Sequence, residues 1–225
     1  MEYEIFGSNM PAVTLTFQSG ESIFTQSGGM TWMTDGITME TNMKGGLGKA
    51  IGRAFTGESL FMATYTAQRP GAQITLASTM PGSIVALELN GSKSYTCQKD
   101  AFLCATRGVK LSASVQKAKT GFFGGEGFIM QHLEGNGICF LEMDGSIVIK
   151  DLAPGETIKV DTGNLAAFDS GVEYSVETVK GFKNILFGGE GLFLSVLRGP
   201  GRVYLQTMNM AGFAGKIIPY IPRSN

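Results

Sequence analysis

Three glutamates, Glu58, Glu126 and Glu190, each stand in a short glycine-rich phrase. The phrases are FTGES at Phe55–Ser59, FGGEG at Phe123–Gly127 and FGGEG again at Phe187–Gly191. Carboxylates placed this way have two chemical uses. Brought to one point, three of them could hold a hard cation, which takes oxygen ligands, or share protons. Taken singly, each can accept hydrogen bonds from the backbone N–H groups that a glycine-rich turn exposes. The local use is the simpler one, because no histidine or aspartate stands beside any of the three.

Basic residues precede each phrase: Lys49 and Arg53, then Lys117 and Lys119, then Lys180 and Lys183. Apolar residues are interleaved with them, among them Leu47, Ile51, Phe55, Phe122, Phe123, Phe182 and Phe187. Leu47, Lys49, Arg53, Lys119 and Lys183 therefore make a candidate interaction surface for anionic lipid headgroups or an acidic partner. The alternative is aromatic rings in the core with solvated lysines outside.

Several other chemistries lack their residues. GGLGKA at Gly45–Ala50 has Met43 where a phosphate loop needs its first glycine and Ala50 where it needs a hydroxyl for magnesium. FGGEG lacks the GxGxxG spacing of a dinucleotide site. His132 is the only histidine, so a His-rich metal site cannot be built, and no Ser or Cys nucleophile motif accompanies it. It reads as a partly exposed strand residue, with Thr64 and Val196 at the matching places elsewhere. Cys97, Cys104 and Cys139 match no zinc or redox spacing and read as reduced core residues. Asp35, Glu40, Glu142, Asp144, Asp161 and Asp169 could pair in space as acid and base, although their spacing does not single out any pair. No catalytic motif is present and no cofactor is expected. A net charge of −1 offers no basic face for nucleic acid.

The elements that must position these residues are short strands. Charged residues are only 16% of the chain and glycines number 32, about twice ordinary usage. The glycines are spread along the chain among Val, Ile, Thr and Phe, as strands joined by tight turns require. The three phrases recur at intervals of 68 and 64 residues. Each is followed by strand, glycine-containing turn and strand, with turns at Arg69-Pro70-Gly71, Glu134-Gly135-Asn136-Gly137 and Arg198-Gly199-Pro200-Gly201. Each is preceded by a polar-Gly hairpin (WMTDGITME, CATRGVKLS, AFDSGVEYS) and, further back, by VTLTFQSGESI, IVALELNGSKSY and IVIKDLAPGETI. The order of landmarks is the same three times. The expected fold is all-β. Three tandem degenerate copies of a unit of about 65 residues, spanning about 11–78, 82–142 and 145–207, pack with pseudo-threefold symmetry into one compact body. Helix is scarce, GGLGKAIGRAF at 45–55 being the best candidate. The tail 208–225, with its apolar run Ile217–Ile221, is expected to dock on a strand edge or a neighbouring subunit. Trp32 and the many Met and Phe residues are expected to fill core and interfaces.

The triple organisation, the FGGEG phrase and the segment MKGGLGKAIGRAFTGESLF together resemble the "altered inheritance of mitochondria" family, over about Tyr3 to Pro219. The resemblance implies three duplicated units, each a short double-stranded β-helix or β-sandwich similar to the tryptophan RNA-binding attenuation protein. It also implies trimeric assembly, and it carries no enzymatic activity. The fold likeness conveys no RNA binding by itself.

The sequence reading is therefore a non-enzymatic binding or scaffolding protein, a homo-oligomer with a trimer favoured. Its partner would be another protein or a membrane surface, and nucleic acid is not expected. The alternative is a small-molecule or metal-binding module that uses the repeated glutamates. The first residues, MEYEIFGSNM, do not form a signal peptide, and no apolar run is long enough to span a bilayer. A cytoplasmic protein is expected.

Overall fold

Alternating sequences such as AVTLTF and AQITLA bury every second side chain when extended, and the chain is built from such strands. A computed structural model describes residues 1–26, 29–43, 61–116, 128–178 and 193–222. It is nearly all-β, with antiparallel sheets. The predicted helix at 45–55 lies outside the described residues.

The first stretch holds β1 (Glu2–Phe6), β2 (Ala12–Phe17), β3 (Ser22–Gln26), β4 (Trp32–Met33), β5 (Ile37–Met43), β6 (Phe61–Ala67) and β7 (Ala72–Ala77). Strands β2 and β4 pair with β7, while β3 and β5 pair with β6. Strand β1 adds to β2. The second stretch holds β8 (Gly82–Asn90), β9 (Tyr95–Gln98), β10 (Phe102–Thr106), β11 (Val109–Gln116) and the long β12 (Phe128–Asp144). Strands β8 and β10 pair with the second half of β12, and β9 and β11 with its first half. The third holds β13 (Ile147–Leu152), β14 (Thr157–Asp161), β15 (Leu165–Asp169), β16 (Glu173–Thr178), β17 (Phe193–Arg198) and β18 (Gly201–Gln206). Here β13 and β15 pair with β18, and β14 and β16 with β17.

The turn predicted at Glu134–Gly137 is instead a continuous stretch of β12. Gly135 and Gly137 take φ of 107° and 147° where β12 passes from its ladder with β11 to its ladder with β8. A side chain at Gly137 would run into the Thr106 hydroxyl. At the equivalent place in the other stretches, strand gives way to a turn and the next strand joins a different sheet.

Two junctions tie the stretches together. Strand β3 pairs with β10, setting Thr25 opposite Cys104 and Phe24 opposite Ala105. Strand β9 pairs with β15, setting Cys97 opposite Ala167 and Thr96 opposite Phe168. Buried side chains pack under these junctions. Leu15, Phe17, Ile74 and Phe140 gather in one cluster, Leu87, Leu133, Leu141 and Met143 in a second, and Leu165, Leu197 and Val203 in a third. The three cysteines are free and buried, and burial pushes the Cys97 thiol up to about 12. They are inert core residues, as the sequence argued.

Of two expectations, the part that concerns the chain itself is corrected. Trp32 does not fill the core of its own chain: it is 53% exposed, because β4 ends its sheet among the described strands. Among the described residues the tail does not add to a strand edge of its own chain. Residues Met210–Ile217 form a helix, α1, with no buried residue, followed by a short 3-10 turn at Ile218–Tyr220. The Asn209 side chain caps the helix by accepting from Gly212 N at 2.7 Å, and its amide donates to Asn164 Oδ1. The tail thus meets the Thr162–Asn164 turn through Asn209, and Met210 lines a cavity beside it.

Candidate functional site

Glu58, Glu126 and Glu190 lie outside the described residues, as do Leu47, Lys49, Arg53, Lys119 and Lys183. The described strands stop on either side of them. The last pairs are Met43 with Phe61, Gln116 with Phe128 and Thr178 with Phe193. Each set of sequence-predicted residues therefore belongs to the connection that joins the two strands of a hairpin.

A cleft of about 690 Å³ opens where the second and third stretches meet. Its floor carries Tyr95 from β9 and Tyr204 from β18, and its rim carries Lys93, Asp151, Asp169 and Arg202. Asp151 and Arg202 face each other across β13 and β18. The guanidinium donates to both carboxylate oxygens, Nε to Oδ1 at 2.7 Å and Nη2 to Oδ2 at 2.9 Å. This fork geometry fixes the side chains even though both are exposed. The pairing holds Asp151 below the usual carboxylate range, mainly through the hydrogen bond. Asp169 accepts from the Arg202 backbone N–H at 3.1 Å. Burial, with smaller contributions from Tyr95 and the Asp169 charge, pushes Tyr204 up to about 12, and burial also raises Tyr95. Both phenols therefore stay protonated at neutral pH; the Tyr95 hydroxyl donates to Glu88 O at 3.4 Å, and the Tyr204 oxygen accepts from the Arg202 guanidinium. The cleft is equipped to bind polar groups of either sign, and neither phenol is activated as a nucleophile.

A second cavity of about 400 Å³ is lined by Gln26, Gln98 and Gln206, by Asp100, Glu142 and Asp144, and by Met210 at the start of α1. Glu142 Oε2 accepts from Ser78 Oγ, Thr79 N and Thr79 Oγ1 at 3.0, 2.8 and 3.2 Å. Burial outweighs those bonds and raises its pKa. Asp144 is raised too, first by burial and then by the Asp100 charge. Among the described residues, no group of three His, Cys, Asp or Glu side chains is arranged to hold a metal ion.

The six scattered acids of the sequence reading thus separate. Glu142 and Asp144 share this cavity, and Asp169 lines the cleft. Asp161 caps the Gly163 N–H, and Glu40 is exposed on β5. Asp35 offers its backbone carbonyl to Arg69. His132 bridges two hydroxyls, Nδ1 to Thr96 Oγ1 at 2.9 Å and Nε2 to Ser114 Oγ at 2.8 Å. It ties β9 and β11 to β12 as a half-buried strand residue, in line with the sequence reading. The matching places hold Thr64 on β6 and Val196 on β17, set opposite Glu40 and Ser175 as His132 is opposite Ser112. The Asp151–Arg202 fork escaped sequence reasoning because 51 residues separate its members. Only the register of β13 on β18 brings them together.

Comparison with known proteins gives this geometry a family. The chain is 34% identical over 224 residues to an uncharacterized protein of Streptococcus pyogenes serotype M6, covering 96% of this chain and 88% of that one. A crystal structure of a Streptococcus pyogenes protein, at 30% identity, superposes with a TM-score of 0.81 and covers 98% of this chain and 99% of that one. The profile of the family described as mitochondrial biogenesis AIM24 matches residues 3–208, and the chain belongs to that family.

Proposed function

We propose that the protein is a non-enzymatic scaffold that works as a homo-oligomer, a trimer for preference, each chain being three degenerate copies of one β unit. The repeated set of four pairings per stretch supports the three-copy reading. One observation carries the assembly. Consecutive copies join through the third strand of a copy and the second strand of the copy before it, which is the relation of β10 to β3 and of β15 to β9. By the same rule β4 and β14 should meet, yet each ends a separate sheet. The register of the other junctions would set Trp32 opposite Val160 and Met33 opposite Lys159. At the matching places Cys104, Ala105, Ala167 and Phe168 are buried, whereas Trp32 and Met33 are 53% and 38% exposed. Unpaired strand edges are templates for another chain. An edge of one type at one end and its complement at the other gives a head-to-tail contact that closes into a ring. Cytoplasmic residence is part of the same reading.

Trp32 is the only tryptophan and reports on this contact directly. Its emission should shift to shorter wavelength as protein concentration rises, in step with mass. Solvent-exposed emission at every concentration contradicts the proposal, and so does a buried emission that ignores dilution.

The small-molecule alternative draws support from the cleft at Arg202 and Tyr204. It predicts a stoichiometric extra mass on the protein in a native mass spectrum.

A further inference from the structure

Charge and exposed apolar surface are unevenly divided along the chain. Residues 1–43 hold five acids, Glu2, Glu4, Glu21, Asp35 and Glu40, and no lysine or arginine. From Gly191 to Asn225 there is no acid, and Arg198, Arg202, Lys216 and Arg223 are basic. Large apolar side chains are exposed toward the same two ends. They run from Tyr3 to Met39 and from Val148 to Ile221, and among the described residues none lies between. The second stretch has a neighbour on each side, through β3–β10 and β9–β15, whereas the first and third have one each. Apolar surface is thus left uncovered only where a neighbour is missing, and the two uncovered ends carry opposite charge. That is the pattern of two surfaces made for each other.

We propose that α1 and the turn after it dock on the first stretch of a second copy of this chain, over β1 and the connection at residues 7–11. The inference rests on the head-to-tail contact of β4 with β14 and names a second surface that the same assembly buries. The junction register that sets Trp32 opposite Val160 also sets Thr31 opposite Asp161. Asp161 leads into the Thr162–Asn164 turn, where Asn164 meets Asn209 at the start of α1 at 3.1 Å. On the receiving side, Thr31 Oγ1 accepts from the Ala77 N–H, Ala77 faces Ala12, and Ala12 faces Phe6. Helix α1 therefore starts where this row of the next chain starts. At the far end of the row stand Phe6 and, in the connection after it, Met10, both exposed. Four strand spacings, roughly 19 Å, separate β14 from β1 in such a contact. The residues of α1 and of its 3-10 turn together span roughly 18 Å, so the tail reaches. Met210 lines the cavity of its own chain. Phe213 and Ile217 share one exposed helical face, and Ile218, Tyr220 and Ile221 continue the exposed apolar set past it. Lys216 flanks that face, and Glu2 and Glu4 are exposed on the receiving β1.

Two measurements on the full chain test this. Native mass spectra over a dilution series compare wild type with Phe213→Glu combined with Ile217→Glu. A carbodiimide, which joins an amine to a carboxylate, is applied to mixed unlabelled and isotopically labelled chains, so that a link between copies carries both labels. The expected result is a link from Lys216 of one copy to Glu2 or Glu4 of another. The variant should dissociate at a concentration about tenfold or more above wild type, because two apolar side chains leave the contact and two acids meet an acidic strand. Neither substituted residue is buried, so its circular dichroism should match wild type. A wild-type assembly in which Lys216 links to no other copy overturns the proposal, and so does a variant that dissociates at the wild-type concentration. In either case Trp32 emission that still follows mass leaves the β4–β14 contact standing. A monomeric wild type with exposed Trp32 emission overturns both readings.

Discussion

Glu142 is a carboxyl whose pKa rises when the chain folds, because burial outweighs the three hydrogen bonds it accepts. A group raised in this way favours the folded state while it is protonated. Its contribution is complete below the unfolded-state pKa and is lost as pH climbs through the folded-state value. Asp144, raised in the same cavity, acts in the same direction. Glu142→Gln keeps an oxygen for the Ser78 and Thr79 donors and removes the charge. The variant should melt with wild type in acid and a few degrees above it at neutral pH. Thermal melts from about pH 4 to 8 check this, spanning the carboxylate range upward. A gap between the two proteins that does not widen with pH would contradict it. The sequence showed Glu142 and Asp144 as two of six scattered acids. Which of the six share a wall depends on strand register, and a linear spacing does not encode register.

At the scale of elements, strand β12 shows what the sequence conveyed and what it hid. Its glycines were legible as a place where the backbone needs unusual angles, and Gly135 and Gly137 do have positive φ. The reading of a glycine-containing turn failed because a strand that changes partner and a turn can use the same residue type. The chain runs on as β12 while its partner changes, Gly135 pairing with Val109 of β11 and Asn136 with Asn90 of β8. Gly137→Ala would place a methyl group against the Thr106 hydroxyl at a φ that L residues rarely adopt. It should destabilise the fold by about 2 kcal/mol or more, measured by chemical denaturation. A cost below ~0.5 kcal/mol would mean that this position tolerates a side chain. The tail was read only as an apolar run at Ile217–Ile221, and its helix at Met210–Ile217 went unseen because the two glycines and two alanines among its eight residues leave a weak helical pattern.

The whole molecule extends this logic. That the chain is built of antiparallel strands was legible from its spread glycines and its alternating segments. The end condition was not legible. On the proposed three-copy reading a chain has two internal junctions and two loose ends, which would be β4 and β14, each of which ends its own sheet among the described strands. The large side chains Trp32 and Met33 stand exposed where the internal junctions bury Cys104 and Ala105 or Ala167 and Phe168. The central claim is that another copy covers them. The most direct test is a native mass spectrum of the wild-type chain beside Trp32→Lys combined with Met33→Lys. Both substituted residues are exposed, so the fold should survive, while the new charges would oppose Lys159 across the proposed contact. The account predicts a trimer for wild type and a monomer for the variant. A monomeric wild type, or a variant that keeps the wild-type assembly, would contradict it.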